Sequence, residues 1–278
     1  MKKSITSFIF ERPNLHMRFS GLNRLLGRAK PPAFSGWGMT SESVPPWDAA
    51  GNSIDADFAR ANELLLKAIH EQKFHLTQFR DVPSIDRLLQ QLMWRHYFVF
   101  WSARYAAEAT KQNENHFVEC GVCDGLTSYF VAKGFSTSKK STLYLYDAWE
   151  AMVETHLMPS EKTMTGAYHH LSVENTKNNL LEFQENLIFN KGYIPKSFAT
   201  AKTPAEVSWL HIDLNSANAT LSALEFFFNR VLPGGVILFD DYAVAGYQDT
   251  RTSVDSFFVR KPGIFLPTPT GQGLFFKV

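Results

Sequence analysis

Apolar positions along this chain change rhythm near residue 111, and the two rhythms predict two kinds of element. In "DADFARANELLLKAIHEQ" (55–72) and "IDRLLQQLMWRHYFVFWSARYAAEATK" (85–111) they recur at helical spacing, which predicts two helices joined by "KFHLTQFRDVPS". The second is apolar on most faces and is expected to be buried. Beyond it, short apolar runs alternate with helical stretches. "HFVEC", "TLYLYDAW", "LIFNKGY", "VSWLHID" and "GGVILFDDY" read as strands, while "LTSYFVAKGF", "SVENTKNNLLEFQEN", "ATLSALEFFFNRVL" and "TRTSVDSFFV" read as helices. Such alternation predicts an α/β fold, a doubly wound and mostly parallel sheet covered on both faces. The tail "GIFLPTPTGQGLFFKV" leaves no room for a crossover helix between its two apolar pieces, so it predicts a carboxy-terminal antiparallel hairpin.

Composition adds bounds. At 278 residues and 45% hydrophobic, the chain can bury one sizeable core. Residues 111–278 are expected to be the catalytic or binding domain, and residues 1–110 an amino-terminal arm and helices packing on or covering it. The first 55 or so residues, with turn signals such as "PPAFSGWG" and the aromatic stretch around Trp37, Met39 and Trp47, read as an irregular arm. It is expected to fold over the domain or onto a second subunit of a homo-oligomer; a basic amphipathic anchor is the alternative. With 28 Lys+Arg against 27 Asp+Glu there is no global field to gather nucleic acid. The run "SFIF" is broken at once by Glu11, Arg12 and Pro13, so no membrane span or export is expected, and the two cysteines point to a reducing cytoplasm.

Ligands of open α/β sheets bind beyond the carboxyl ends of the strands, so the residues that finish each strand are the ones to inspect. The first strand runs into Glu119-Cys120-Gly121-Val122-Cys123-Asp124-Gly125, an E-x-G-x-x-x-G pattern. Gly121 allows a sharp turn and close approach of a ligand, Gly125 a tight entry into the next helix, and a carboxylate at Glu119 favours an ammonium group over a phosphate. One βαβ unit later the second strand ends in Asp147, where an acidic side chain grips ribose hydroxyls, and Trp149 is placed to lie against an adenine. The blander roles are a loop partner for Glu119 and a cap for Asp147. Glycine loop, Asp124, Asp147 and terminal antiparallel strand together resemble the Rossmann-like S-adenosylmethionine-dependent methyltransferases. A Cys-x-x-Cys dithiol would occupy the same turn, but redox chemistry gives no reason for the acidic residues around it, so Cys120 and Cys123 are read as small, semi-buried fillers.

The fourth strand ends at Asp213 and the fifth at Asp240-Asp241. Strands about 5 Å apart let these carboxylates converge. Without a nearby run of Arg or Lys they repel one another, and a hard divalent cation with oxygen ligands, Mg2+ here, is the usual remedy. Helix capping by the same residues is the alternative. The run from Asp213 through "TLSALE" to "LPGGVILFDDY" resembles the macrocin O-methyltransferase family, metal-dependent enzymes that methylate sugar hydroxyls of natural products. The resemblance covers roughly residues 115–278. It implies metal ligation by Asp213, Asp240 and Asp241 and cofactor contact at Glu119 and Gly121. Where that family reads Asp-Gly-Asp, this chain has Asp213-Leu214-Asn215, so Asn215 is a candidate for metal or substrate contact.

The expected chemistry is methyl transfer from S-adenosylmethionine to a hydroxyl of a small molecule or saccharide, with Asp213 as first candidate base and His211 on the same strand face as second. Tyr168, His169 and His170 lie in a long segment, "EAMVETHLMPSEKTMTGAYHHLS", of the length of a lid, and are candidates for substrate contact. Arg251 reads as helix-start decoration, or a site for an acidic substrate group. Competing readings are a metal-dependent catechol-type methyltransferase, which more often shows Asp-Asn in the second motif, and a non-catalytic S-adenosylmethionine-binding protein, against which the carboxylate trio argues. No basic face or flipped-base motif supports a nucleic-acid substrate.

Overall fold

A computed structural model describes residues 55–135 and 139–278; the arm with Trp37, Met39 and Trp47 lies outside the described residues. In chain order the elements are α1 (Ala56–His70), α2 (Ile85–Ala109), β1 (Glu114–Cys120), α3 (Leu126–Lys133), β2 (Lys140–Asp147), α4 (Val173–Asn179), β3 (Leu187–Lys191), β4 (Val207–Ile212), α5 (Ala217–Phe227), β5 (Val231–Phe239), α6 (Gln248–Phe258), β6 (Gly263–Pro267) and β7 (Gly273–Lys277). The strands form one sheet in the order β3-β2-β1-β4-β5-β7-β6. The first five pair in parallel, and β7 runs antiparallel between β5 and β6, which is the expected mostly parallel sheet with a carboxy-terminal hairpin. Chain order reverses between β1 and β4, so the crevice of such a sheet opens beyond Cys120 and Ile212.

Period-2 alternation sorts the strand residues onto two buried faces. Phe117, Leu143, Leu145, Trp209 and Leu238 pack under α1, α2 and α3, whereas Val118, Leu210, Ile237 and Phe239 pack against α5 and α6. The first face is shared: Phe58 and Leu65 of α1 and Val99, Phe100 and Ala103 of α2 belong to the same core as the sheet, so these two helices are structural parts of it. Ser84 caps α2, its hydroxyl accepting from the Arg87 N–H at 3.3 Å.

The course of α2 fixes the site. Its last residue, Ala109, lies against the start of β5: a Cβ on Gly234 would stand 2.7 Å from the Ala109 carbonyl oxygen. Midway, the Trp209 indole donates to Ser102 at 2.9 Å. Fourteen residues of helix from Ala109 back to Arg95 span about 21 Å, and six residues of strand from Gly234 to Asp240 span about 20 Å. Arg95 therefore arrives at the carboxyl edge of β5.

Two element boundaries differ from expectation. The helix predicted over 172–186 stops at Asn179 and continues as a 3₁₀ turn, because the Asn179 side chain is taken up by distant backbone (below). The fifth strand begins at Val231, ahead of the Gly-Gly pair, with a shift of register against β4 between Val207 and Trp209. Among the described residues, no helix is long and apolar enough to cross a membrane.

Candidate active site

The turn after β1 is built from backbone. Gly121 has φ +91°, and a Cβ there would lie 1.9 Å from the Asp213 carbonyl oxygen. The parallel ladder continues one step past the strands on either side of it: Gly121 N–H donates to Tyr146 at 2.8 Å and Asp213 N–H to Cys120 at 2.8 Å. Gly125, φ +87°, caps α3 against Leu180 and Thr176. Asp147 faces this turn, and its Oδ2 accepts from Val122 N–H (2.7 Å) and Cys123 N–H (2.9 Å). Its Oδ1 accepts from Trp149 N–H at 2.6 Å, leaving that oxygen a lone pair. Burial pushes the Asp147 carboxyl up, the three N–H donors pull it down, and Asp213 nearby raises it further.

Three expected cofactor contacts have other partners. Asp124 is fully buried and accepts from Thr77 Oγ1 (2.9 Å), Gln78 N–H (3.2 Å) and Asn175 Nδ2 (2.8 Å). Asn179 Nδ2 donates to the Asp124 and His75 carbonyls, and Asn179 Oδ1 accepts from His75 N–H, so the turn is clamped between α4 and the segment that follows α1. Trp149 is buried as well; its indole N–H bonds the Cys123 carbonyl and Thr176 Oγ1, and its ring packs on Phe189 rather than standing open for an adenine. Glu119 shares a face with Phe117, so its side chain points under α3 and accepts from the Ser128 hydroxyl instead of reaching the edge.

His211 pairs with Glu119 in the register of β1 and β4, and its Nδ1 stands 3.5 Å from Glu119 Oε1. Both side chains are wholly inaccessible, and the imidazole stacks on Trp209 at 5.6 Å. Burial raises the Glu119 carboxyl above its ordinary range, with His211 and Ser128 opposing that rise. An imidazole so enclosed has no path to a substrate proton, which removes His211 as a base and makes it a buried partner of Glu119. Cys120 and Cys123 are free thiols, and burial first, then neighbouring carboxylates, hold both well above the ordinary thiol range. Protonated thiols are poor nucleophiles, so the turn is not built for dithiol exchange.

The carboxylates converge as expected. One oxygen of each of Asp213, Asp240 and Asp241 lies within 4.8 Å of the others. Asn215, at φ +52°, donates from Nδ2 to Asp213 Oδ1 at 3.2 Å, while its own Oδ1 accepts from the Tyr247 hydroxyl. The expectation that no cation stands nearby fails. Arg95 Nε donates to Asp240 Oδ1 at 2.7 Å and its Nη2 pairs with Oδ2, while Gln272, from the β6–β7 turn, donates to Oδ1 at 3.0 Å. Neither residue was found from sequence. Arg95 carried one signal, a charge inside the aromatic-rich stretch Trp94–Trp101.

The segment over 150–172 closes on itself, with Met152 and Gly166–Ala167 exchanging backbone bonds. Glu161 fastens it to the site side: Oε1 accepts from Ala217 N–H at the first turn of α5 (2.7 Å), and Oε2 from Met158 N–H (2.9 Å). Ser160 bonds Asp249 of α6. Of the expected substrate contacts in this segment, Tyr168 lies at φ +65°, and His169 Nδ1 donates back to the Gly166 carbonyl at 3.2 Å with its ring 5.6 Å from that of His170. Arg251 lies over the Tyr242 ring and pairs with Asp255, on the surface of α6.

Residues 118–242, from β1 through the Asp240-Asp241-Tyr242 motif, match a family model described as a methyltransferase domain. No curated protein matches the chain in sequence. Among solved structures, the O-methyltransferase NovP superposes with a TM-score of 0.61 at 13% identity, over 81% of this chain and 99% of that one. The calicheamicin methyltransferase CalS11 gives 0.48 at 11% identity, over 78% and 91%. An O-methyltransferase from Bacillus cereus, solved in complex with SAH, gives 0.46 at 14% identity, over 78% and 91%.

Proposed function

We propose that the chain is a class I S-adenosylmethionine-dependent methyltransferase, a reading supported by its fold and by the family model over residues 118–242, and that it transfers the cofactor's methyl group to a hydroxyl oxygen of a small molecule or saccharide with the help of a divalent cation. One observation carries the reading: Asp213, one strand from the Gly121 turn where strand order reverses, converges with Asp240 and Asp241 at the end of the next strand. A cofactor at that turn and an acceptor at the carboxylates would then be adjacent.

The donor set fits a hard cation: three carboxylates, with Asn215 beside them. Asp213, Asp240 and Asp241 would hold it, and bound there it would lower the pKa of an acceptor hydroxyl. The methyl donor supplies an electrophilic sulfonium carbon. The chain supplies the rest. Gly121 brings backbone, with no side chain, to the cofactor side, and Asp147 Oδ1 keeps acceptor capacity for a ribose hydroxyl. Asp213 takes the hydroxyl proton at a carboxylate oxygen as the oxygen–methyl bond forms and the methyl–sulfur bond breaks. Asn215, held by Tyr247, keeps Asp213 oriented. The segment over 150–172, fastened by Glu161, excludes water and supplies Tyr168, His169 or His170 to the acceptor. A saccharide acceptor rests on the resemblance carried by the Asp213 and Asp240-Asp241-Tyr242 motifs.

The test incubates the purified chain with S-adenosylmethionine and a panel of monosaccharides, glycosides and catechols, with Mg2+ or with a chelator, and detects products by mass spectrometry. The reading expects an O-methylated product that requires Mg2+ and is lost in Asp213→Asn. Methylation confined to nitrogen acceptors, or turnover indifferent to the chelator, would overturn it.

A further inference from the structure

We propose that Arg95 is the resident counter-cation of the carboxylate cluster and competes with the divalent cation for Asp240. The inference rests on the cation reading above and concerns what the chain does with the site before a metal arrives. Three observations carry it. The length of α2 places the guanidinium at the carboxyl edge of β5, anchored at the other end by the Ala109–Gly234 contact. The pairing is two-pronged, Nε on Oδ1 and Nη2 on Oδ2, the fork geometry that makes Arg–carboxylate pairs strong. Gln272 takes the remaining acceptor site of Oδ1, so Oδ2 is the only Asp240 oxygen that could turn to a metal, and it is the one Nη2 holds.

The two partners differ in freedom. The Asp240 side chain is 5% exposed and the Arg95 side chain 28%, so the guanidinium can swing out to solvent while the carboxylate stays in place. Entry of the cation at Oδ2 therefore displaces Nη2, and the apparent metal affinity is the intrinsic one reduced by the fraction of molecules in which Arg95 has swung away. A purely structural strut would behave in the opposite way, since its removal would loosen Asp240 and weaken metal binding.

Mn2+ is titrated into the purified full chain without cofactor, by calorimetry and by loss of the free-ion electron-spin resonance signal, for wild type, Arg95→Gln and Arg95→Lys; S-adenosylhomocysteine binding is measured in parallel. The competition predicts Mn2+ affinity about tenfold or more higher in Arg95→Gln, with Arg95→Lys between it and wild type because the charge remains without the fork. Equal or weaker Mn2+ binding in Arg95→Gln, with wild type binding Mn2+, overturns the role of Arg95 and leaves the cation reading intact. Absence of Mn2+ binding in all three, with S-adenosylhomocysteine still bound, removes the cation reading and the competition with it. Should Arg95→Gln fail to fold, Arg95→Lys decides, since binding no tighter than wild type contradicts the proposal.

Discussion

Gly121 offers the sharpest stability prediction, because a control for it exists in the same molecule. Gly121 and Gly166 both have positive φ, +91° and +79°. A Cβ on Gly166 would meet nothing within 4 Å, whereas one on Gly121 would stand 1.9 Å from the Asp213 carbonyl oxygen and 2.7 Å from its carbonyl carbon. Gly166→Ala therefore pays for backbone conformation alone, about 1–2 kcal/mol. Gly121→Ala pays the same and must also push β1 from β4 by more than an ångström, since neither contact atom belongs to a side chain that can rotate away. That movement strains a core packed without slack, about 1–3 kcal/mol, and breaks the Asp213 N–H bond to Cys120, about 1 kcal/mol. The expected loss is about 3–6 kcal/mol for Gly121→Ala against about 1–2 for Gly166→Ala. In thermal unfolding, a Tm fall of about 6–24 °C should accompany the first and about 2–8 °C the second. Equal losses in the two variants would refute the reasoning, because they would mean that the closeness of Gly121 to Asp213 has no energetic consequence.

Other expectations follow from the same geometry. The Glu119 carboxyl is raised, so its protonated form is favoured in the folded state; stability is greatest below its ordinary 4.5 and falls as pH rises through the raised value. Glu119→Gln should flatten that fall in denaturant titrations across pH, with a remainder from Asp147, and an unchanged slope would count against the assignment. The thiols of Cys120 and Cys123, held protonated, should resist alkylation in the native state and react on unfolding, and the double alanine variant should keep its affinity for S-adenosylhomocysteine; a native disulfide would revive the redox reading. Asn179→Ala leaves His75 N–H and the Asp124 carbonyl without the partner Asn179 supplied, while Asn175 Nδ2 still serves the His75 carbonyl, at a cost of about 2–4 kcal/mol in chemical denaturation. A loss below about 1 kcal/mol would mean that the clamp is not closed in solution.

The parallel sheet, its hairpin and the convergence of Asp213, Asp240 and Asp241 were legible because each is a local pattern at a strand end. What misled was treating every strand-end residue as aimed at the edge. Alternation already placed Glu119 on the face of Phe117 and His211 on the face of Trp209, a face that the buried second helix had to cover; the period-2 reading was available and would have hidden both side chains. Arg95 and Gln272 were not legible in this way. Arg95 reaches Asp240 across 145 positions and Gln272 does so from a hairpin turn, and tertiary pairs of this kind leave no trace in local periodicity. The helix length that aims Arg95 could be counted from sequence, but only the observed pairing of Ala109 with Gly234 sets where the count begins.

On the proposed reading, the Gly121 turn cradles the nucleoside of S-adenosylmethionine. Calorimetric titration of S-adenosylmethionine and S-adenosylhomocysteine into the purified chain, beside Asp240→Ala, tests it most directly. The account predicts saturable micromolar binding of both ligands, retained in Asp240→Ala because that carboxylate lies on the acceptor side. Absence of binding by either ligand to the folded wild-type chain would contradict it.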